Sequence, residues 1–134
     1  MASSYSTDLS LELITTGEKA GQWGTITNTN LQILQRAASG YVAVPMTSGT
    51  DVTLSLADGS DTANGKNLFL ELTGTMTANI SLIIPSATTG GTATRTYIIK
   101  DSTARTNNHY TLLIKTAASA SPVPLPEGAN IIVR

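Results

Sequence analysis

His109 is the chain's only histidine and therefore its only imidazole that could act as a general base. Nucleophilic catalysis needs such a base beside a nucleophile and an orienting carboxylate. His109 follows Asn107 and Asn108 in a predicted turn, where nothing adjacent supplies those partners. The usual metal sites combine several histidines or cysteines, and the chain has no cysteine. We therefore expect a surface histidine and no catalytic centre, metal or cofactor.

Paired carboxylates are the second chemistry to consider, because two of them can hydrolyse a glycosidic bond. The candidates are Glu12, Glu18, Glu71 and Glu127. Only Glu71 lies in the middle of a predicted strand, and no spacing brings two of these carboxylates together. They are predicted to be solvated charges, and the chain is predicted not to be an enzyme.

Two loops have a composition that is typical of ligand-binding loops. Residues 58–67, DGSDTANGKN, place Asp58, Asp61 and Asn64 among glycines, but they lack the spacing and the terminal glutamate of a calcium loop. Residues 88–94, TTGGTAT, are glycine-rich, but no lysine or helix follows them to form a phosphate cradle. The first segment is predicted to be a hairpin connection, and the second a turn between strands.

Charge and composition narrow the range of partners. The chain has 134 residues, of which 13% are charged, and its net charge is −1. It therefore lacks the basic patches of nucleic-acid-binding proteins, and no apolar run approaches the ~20 residues of a membrane helix. The N-terminus has neither the basic nor the apolar region of a signal peptide. Such a low charge suits a surface that is covered by copies of the chain or by neighbouring proteins.

The most distinctive segment is residues 15–37, TTGEKAGQWGTITNTNLQILQRA, which contains the only tryptophan. Trp23 lies between two glycines, and its ring can anchor a protein contact or stack on a sugar. It can equally fold back over the following helix and close the end of the core. A carbohydrate-binding module that uses Trp23 with Tyr41 or Tyr97 is one open alternative.

The elements around this tryptophan are an arm, a loop and a helix. Residues 1–25 are predicted to be an extended arm followed by a docking loop that carries the tryptophan. In the arm, Leu9, Leu11 and Leu13 alternate with polar residues, and such an arm often reaches onto a partner. Residues 26–40 are predicted to be one short amphipathic helix.

The helix prediction depends on capping residues and one apolar stripe. Three residues offer N-caps: Thr27, Asn28 and Thr29. The stripe of Leu31, Leu34 and Ala38, widened by Ile33 and Ala37, is predicted to face the core, and in an oligomer it can also belong to an interface. Gly40 is predicted to end the helix.

From residue 41 onward the apolar residues alternate with polar ones, a period of two that predicts β-strands. About seven short strands are separated by turn residues such as Asp58-Gly59 and Glu127-Gly128. The sequence therefore predicts a mainly β fold: an antiparallel β-sandwich or small barrel over residues 41–134, with one short N-terminal α-helix. No internal repeat is evident, and the whole chain is predicted to be a single domain.

The first third of the chain resembles a known family. Residues 3–44, SSYSTDLSLELITTGEKAGQWGTITNTNLQILQRAASGYVAV, are similar to the N-terminal attachment segment of tail-fibre and related virion proteins of tailed bacteriophages, particularly phages of marine and freshwater bacteria. The most specific part is the run from Gly21 through Trp23 to Asn30. The strand region resembles that family only in style.

The resemblance implies a structural protein of the virion, a homotrimer that docks on the tail or capsid and is assembled in the host cytoplasm. The partners implied are further copies and neighbouring virion proteins, with a host surface glycan as a further candidate. Many such fibres continue into a long receptor-binding region, whereas this chain ends at residue 134, so capsid decoration is an alternative role. The assembly interface is expected at Leu9, Leu11, Leu13, Trp23, Asn28, Asn30, Leu31 and Leu34.

Overall fold

The computed structural model describes residues 4–6, 9–85, 87–88, 91–92, 95–105, 109–116 and 121–133. This part of the chain consists mostly of short strands, with one α-helix and one short 3-10 helix. The prediction of a mainly β fold with one helix is therefore confirmed. In chain order the elements are β1 (Ser4–Tyr5), β2 (Glu12–Leu13), α1 (Trp23–Ser39), β3 (Tyr41–Pro45), β4 (Val52–Thr53), the 3-10 helix (Asn64–Lys66), β5 (Phe69–Thr73), β6 (Thr75–Met76), β7 (Ile80–Ile84), β8 (Ala87–Thr88), β9 (Gly91–Thr92), β10 (Tyr97–Asp101), β11 (Ala104–Arg105), β12 (Leu112–Thr116), β13 (Val123–Leu125) and β14 (Asn130–Val133).

Two four-stranded sheets form the body of the fold. The first sheet has the strand order β14-β10-β5-β3, and the second has the order β13-β12-β7-β4. In the first sheet β3 pairs parallel with β5, and β5 pairs parallel with β10. In the second sheet β4 pairs parallel with β7, and β7 pairs parallel with β12. The last strand of each sheet, β14 or β13, pairs antiparallel with its neighbour. The expectation of antiparallel pairing is therefore wrong for these parallel pairs, and a sandwich or closed barrel of antiparallel strands is not confirmed.

The parallel pairing arises because the chain winds through the two sheets in successive coils. In the first sheet Tyr41 pairs with Phe69, 28 residues later, and Phe69 pairs with Ile98, 29 residues later. In the second sheet Leu82 pairs with Val52 on one side and Ile114 on the other. Three strands in each sheet are thus stacked at a nearly constant interval, as in a solenoid. This internal repeat was not evident in the sequence, because the stacked residues differ in type.

The inward faces of both sheets share one hydrophobic core. Strand β5 alternates as predicted, with Leu70 and Leu72 buried while Phe69 and Glu71 point outward. The core cluster combines strands of both sheets and their connections: Val44, Met46, Leu54, Leu70, Leu72, Met76, Ile80, Leu82, Tyr97, Ile99, Leu112, Ile114 and Leu125. Burial of these side chains against each other provides the main driving force that holds the coils together.

Helix α1 begins at Trp23, three residues before the predicted boundary, so the tryptophan belongs to the helix rather than to a loop. Gln22 is the N-cap residue and makes no side-chain capping hydrogen bond, and the predicted caps lie inside the helix. The helix ends before Gly40, as predicted. A Cβ atom on Gly40 would lie 2.5 Å from the Asn67 side-chain oxygen and 2.6 Å from the carbonyl oxygen of Arg36. Glycine is required here because the chain passes too closely for a side chain.

The described N-terminal residues form a hairpin rather than an extended arm. Strands β1 and β2 pair antiparallel, with Tyr5 opposite Glu12. The hairpin lies on the body of the same chain, because the Gly59 amide donates a hydrogen bond to the Ser10 carbonyl at 2.9 Å. A Cβ atom on Gly59 would lie 3.1 Å from the Tyr5 ring. The arm therefore makes its observed contacts within one subunit.

Candidate assembly interface

The hairpin is joined to the middle of helix α1 by one asparagine. The Glu12 amide donates to the Asn30 side-chain oxygen at 3.0 Å, and the Asn30 side-chain nitrogen donates to the Glu12 carbonyl at 3.0 Å. Lys19 adds an ion pair with the Glu12 carboxylate at 3.5 Å. Asn30 was expected in an assembly interface, but its amide group is engaged within the subunit, where it positions the hairpin.

The inner face of helix α1 is fixed to the rest of the chain. Ile26 and Ile33 lie seven residues apart on that face, and both are buried. The Arg36 guanidinium lies 3.7 Å from the Asp61 carboxylate, and the Arg36 carbonyl accepts a hydrogen bond from the Leu68 amide at 3.1 Å. One side of the helix is therefore already occupied by contacts within the subunit.

The same helix carries a second apolar stripe that is exposed and lies beside the buried isoleucines. The exposed fractions are 64% for Trp23, 58% for Leu31 and 42% for Leu34. At 3.6 residues per turn these three residues share a face with Thr27 and Ala38, at spacings of four, four, three and four. We call these five residues the helix stripe. The predicted burial is wrong for Leu31, Leu34 and Ala38 but correct for Ile33, which the helix buries together with Ile26.

The other residues expected at the interface differ in how far they are exposed to water. Leu13 on β2 is an exposed large apolar side chain, and Asn28 is exposed on the helix. Leu9 and Leu11 are only partly exposed, because the hairpin lies against the body. Most of the predicted interface residues that are both apolar and exposed therefore lie on helix α1.

A second exposed apolar surface crosses the outer side of the first sheet. The strand register aligns Tyr41 with Phe69, Phe69 with Ile98, and Ile98 with Ile132. We call these four residues the outer row. Ile132 is 73% exposed, and Tyr41 and Phe69 are also exposed. Sequence reasoning missed this row, because it becomes contiguous only through the parallel stacking of the coils.

A charged cluster lies beside the outer row, centred on Glu71. The Tyr41 hydroxyl donates a hydrogen bond to this carboxylate, Ser102 donates another at 2.7 Å, and the Lys100 ammonium lies 3.6 Å away. The hydrogen bond from Tyr41, followed by that from Ser102, lowers the pKa of Glu71. The same carboxylate raises the pKa of Tyr41. The charges on this face are thus paired with each other.

Lys66, in the 3-10 helix, is a fully buried cation. Within the described residues its ammonium group has no hydrogen-bond partner. Burial is the first cause that lowers its pKa to about 8, the charge of Arg95 is the second, and Asp58 and Asp61 act in the opposite direction. The predicted hairpin at residues 58–67 is instead a crossover from the second sheet to the first.

The remaining chemical candidates do not assemble into a site. Among the described residues no three His, Cys, Asp or Glu side chains form a group that could hold a metal ion. Tyr97 is buried and its hydroxyl donates to the Gly65 carbonyl at 2.6 Å, so it cannot stack on a sugar with Trp23. Tyr41 and Trp23 do remain exposed.

Comparison with known proteins does not add a relative. No helix in the described part of the chain has both the length and the apolar character needed to span a membrane. No family model matches the chain, and neither a curated protein nor a solved structure matches it. The helix stripe and the outer row are two exposed apolar surfaces on which a function can be based.

Proposed function

We propose that this chain is a structural protein of a bacteriophage virion, of the tail-fibre kind, that assembles as a homotrimer and docks on the particle. One observation carries the proposal: helix α1 exposes a second apolar stripe although its other face is already bound. Exposed apolar residues that are contiguous on one helix face are typical of protein interfaces. The resemblance of residues 3–44 to virion attachment segments supports the same role.

The helix stripe contains the tryptophan and two leucines, the residue types that supply large buried area in protein contacts. Tryptophan in particular is enriched among the residues that dominate binding energy. Water around Trp23, Leu31 and Leu34 is released when a partner covers them, and this favours association. A role in assembly accounts for both the composition and the exposure of this face.

Size-exclusion chromatography with light scattering tests the oligomer. The native chain is expected to elute with the mass of three copies at micromolar concentration. The double variant Leu31→Asp/Leu34→Asp should be a folded monomer, because burying two carboxylates against apolar groups is strongly unfavourable. Gln32→Asp, an exposed position on the same helix, is the matched control and should remain assembled. A native chain that is monomeric under these conditions would contradict the proposal.

The position on the particle requires a separate measurement. An antibody raised against the chain, used for gold labelling of intact particles, is expected to mark the tail. Labelling spread over the head would instead assign the chain to capsid decoration. Absence of the chain from purified particles would contradict both roles.

A further inference from the structure

We propose that the helix stripe of one copy packs on the outer row of the next copy, so that a single repeated contact closes the ring. This inference rests on the proposed function and names the surface that the partner supplies. Helix on sheet is one of the standard ways in which proteins bury apolar faces. The described part of the chain exposes the helix stripe, which is a helix face, and the outer row, which is a sheet face.

The dimensions of the two surfaces agree. The outer row crosses four adjacent strands, and at about 4.8 Å between strands its three steps span about 14 Å. The helix stripe extends from Trp23 to Ala38, which corresponds to about 22 Å along the helix axis at 1.5 Å per residue. A helix that lies along the row, across the four strands, is therefore long enough to cover it.

The charges favour a second copy as the occupant. Arg36 is the only charged residue in the helix, and it is paired with Asp61 within the subunit. Beside the outer row, Glu71 is paired with Lys100 and accepts two hydroxyl hydrogen bonds. Neither surface presents an unpaired charge that would call for a charged partner. The two neutral apolar surfaces complement each other without burying an unsatisfied charge.

A contact between unlike surfaces also explains why both are exposed. If the stripe packed only on the same stripe of another copy, the outer row would remain open to water, including Ile132 at 73% exposure. Packing the stripe on the row covers both surfaces with one interface. Contacts of this head-to-tail kind generate a closed ring when the rotation between copies closes, and a homotrimer is such a ring.

Cross-linking tests which surfaces meet, and the absence of cysteine from the chain gives a clean background. Leu34→Cys and Phe69→Cys are prepared separately, co-refolded and treated with a flexible bismaleimide. Covalent dimers are expected from the mixture and not from either variant alone. The double variant should give covalent trimers. Dimers from Phe69→Cys alone, or none from the mixture although it is trimeric, would overturn the inference.

Surface variants separate this inference from the proposed function. Ile132→Asp, on the edge strand β14 at one end of the outer row, should weaken association by about 10-fold or more, because it places a carboxylate against apolar groups. Thr53→Asp is the control, because Thr53 is also exposed but lies on β4, at the edge of the second sheet opposite β13. If the row variant stays trimeric while Leu31→Asp/Leu34→Asp dissociates, the inference fails and the proposed function stands. If the native chain is monomeric, both fail.

Discussion

The Asp101 carboxylate and the Arg105 guanidinium form a buried ion pair in the third coil, with exposed side-chain fractions of 0% and 7%. Asp101 occupies the register position that Leu72 and Val44 occupy in the preceding coils. Its carboxylate also accepts hydrogen bonds from the amide and hydroxyl of Thr103, at 2.9 and 2.6 Å. A charged residue therefore occupies an interior position that is apolar in the two preceding coils, and its carboxylate is bound by Arg105 and Thr103.

The first prediction concerns this ion pair. Arg105 also donates to the Leu125 carbonyl at 3.1 Å and so connects β11 to β13. Arg105→Met should lower the free energy of unfolding by about 3–5 kcal/mol, because it leaves a buried carboxylate without its counter-ion. The double variant Asp101→Leu/Arg105→Met should recover part of this loss, because it removes the unpaired carboxylate but leaves the Thr103 amide and hydroxyl without their acceptor. Urea unfolding measures both.

The control for this prediction is a half-exposed pair. Lys115 lies 3.6 Å from Asp51, and both side chains are partly in contact with water. Lys115→Met should change the free energy of unfolding by less than about 1 kcal/mol. If Arg105→Met and Lys115→Met lowered the free energy of unfolding equally, burial of the Asp101–Arg105 pair would not be the cause of the larger predicted loss.

The second prediction concerns Lys66 and its dependence on pH. Its pKa is lowered from 10.5 to about 8 in the folded chain, so between these values the unfolded state binds a proton that the folded state lacks. Stability therefore rises with pH in this window. The rise should be about 1.5 kcal/mol between pH 8 and 9.5. Above pH 10 the raised pKa of Tyr97 acts in the opposite direction.

Lys66→Met should abolish this rise and increase stability at pH 7, because it removes a buried charge. The measurement is chemical unfolding at closely spaced pH values. Lys100→Met is the control, since the Lys100 side chain is 62% exposed, and it should leave the rise between pH 8 and 9.5 in place. A native profile that is flat between pH 8 and 9.5 would refute the account of Lys66.

The third prediction concerns attachment of the hairpin. Asn30→Ala removes both hydrogen bonds to the Glu12 backbone and should destabilise the hairpin by about 1–3 kcal/mol. Hydrogen exchange of the Glu12 amide should become faster, because the hairpin opens locally more often. Asn28→Ala, at an exposed position on the same helix, should leave that exchange unchanged. Unchanged exchange in Asn30→Ala would show that other contacts hold the hairpin.

The local patterns in the sequence predict a mainly β chain with one helix but not the pairing of its strands. Alternation identifies the buried face of β5 correctly, since it depends only on neighbouring residues. Pairing of Tyr41 with Phe69 links positions 28 residues apart, and no identical residues mark the repeat. Gly65 illustrates the same limit: its Cβ would lie 2.5 Å from the Ser55 carbonyl oxygen, a tertiary contact that local turn rules cannot reveal.

The candidate interface was also predicted only in part, because local sequence patterns do not show which surfaces the tertiary structure buries. Leu31 and Leu34 satisfy the helical period as well as Ile26 and Ile33 do, so periodicity alone does not determine which stripe is buried. The structure determines it through the rest of the chain, which fixes the isoleucine side. The outer row has no local signature, because each of its residues comes from a different strand.

The last prediction contrasts the two faces of helix α1. Trp23→Ala should change the free energy of unfolding by less than about 0.5 kcal/mol, because the side chain is mostly exposed. Ile33→Ala should cost about 2–5 kcal/mol, because Ile33 is completely buried and its loss leaves a cavity. Unfolding is compared at a dilution where the chain is monomeric, so that assembly does not contribute. At higher concentration, light scattering should show that Trp23→Ala impairs assembly although its monomer is stable. A large loss of monomer stability in Trp23→Ala would mean that the ring belongs to the core, and the helix stripe would lose its anchor.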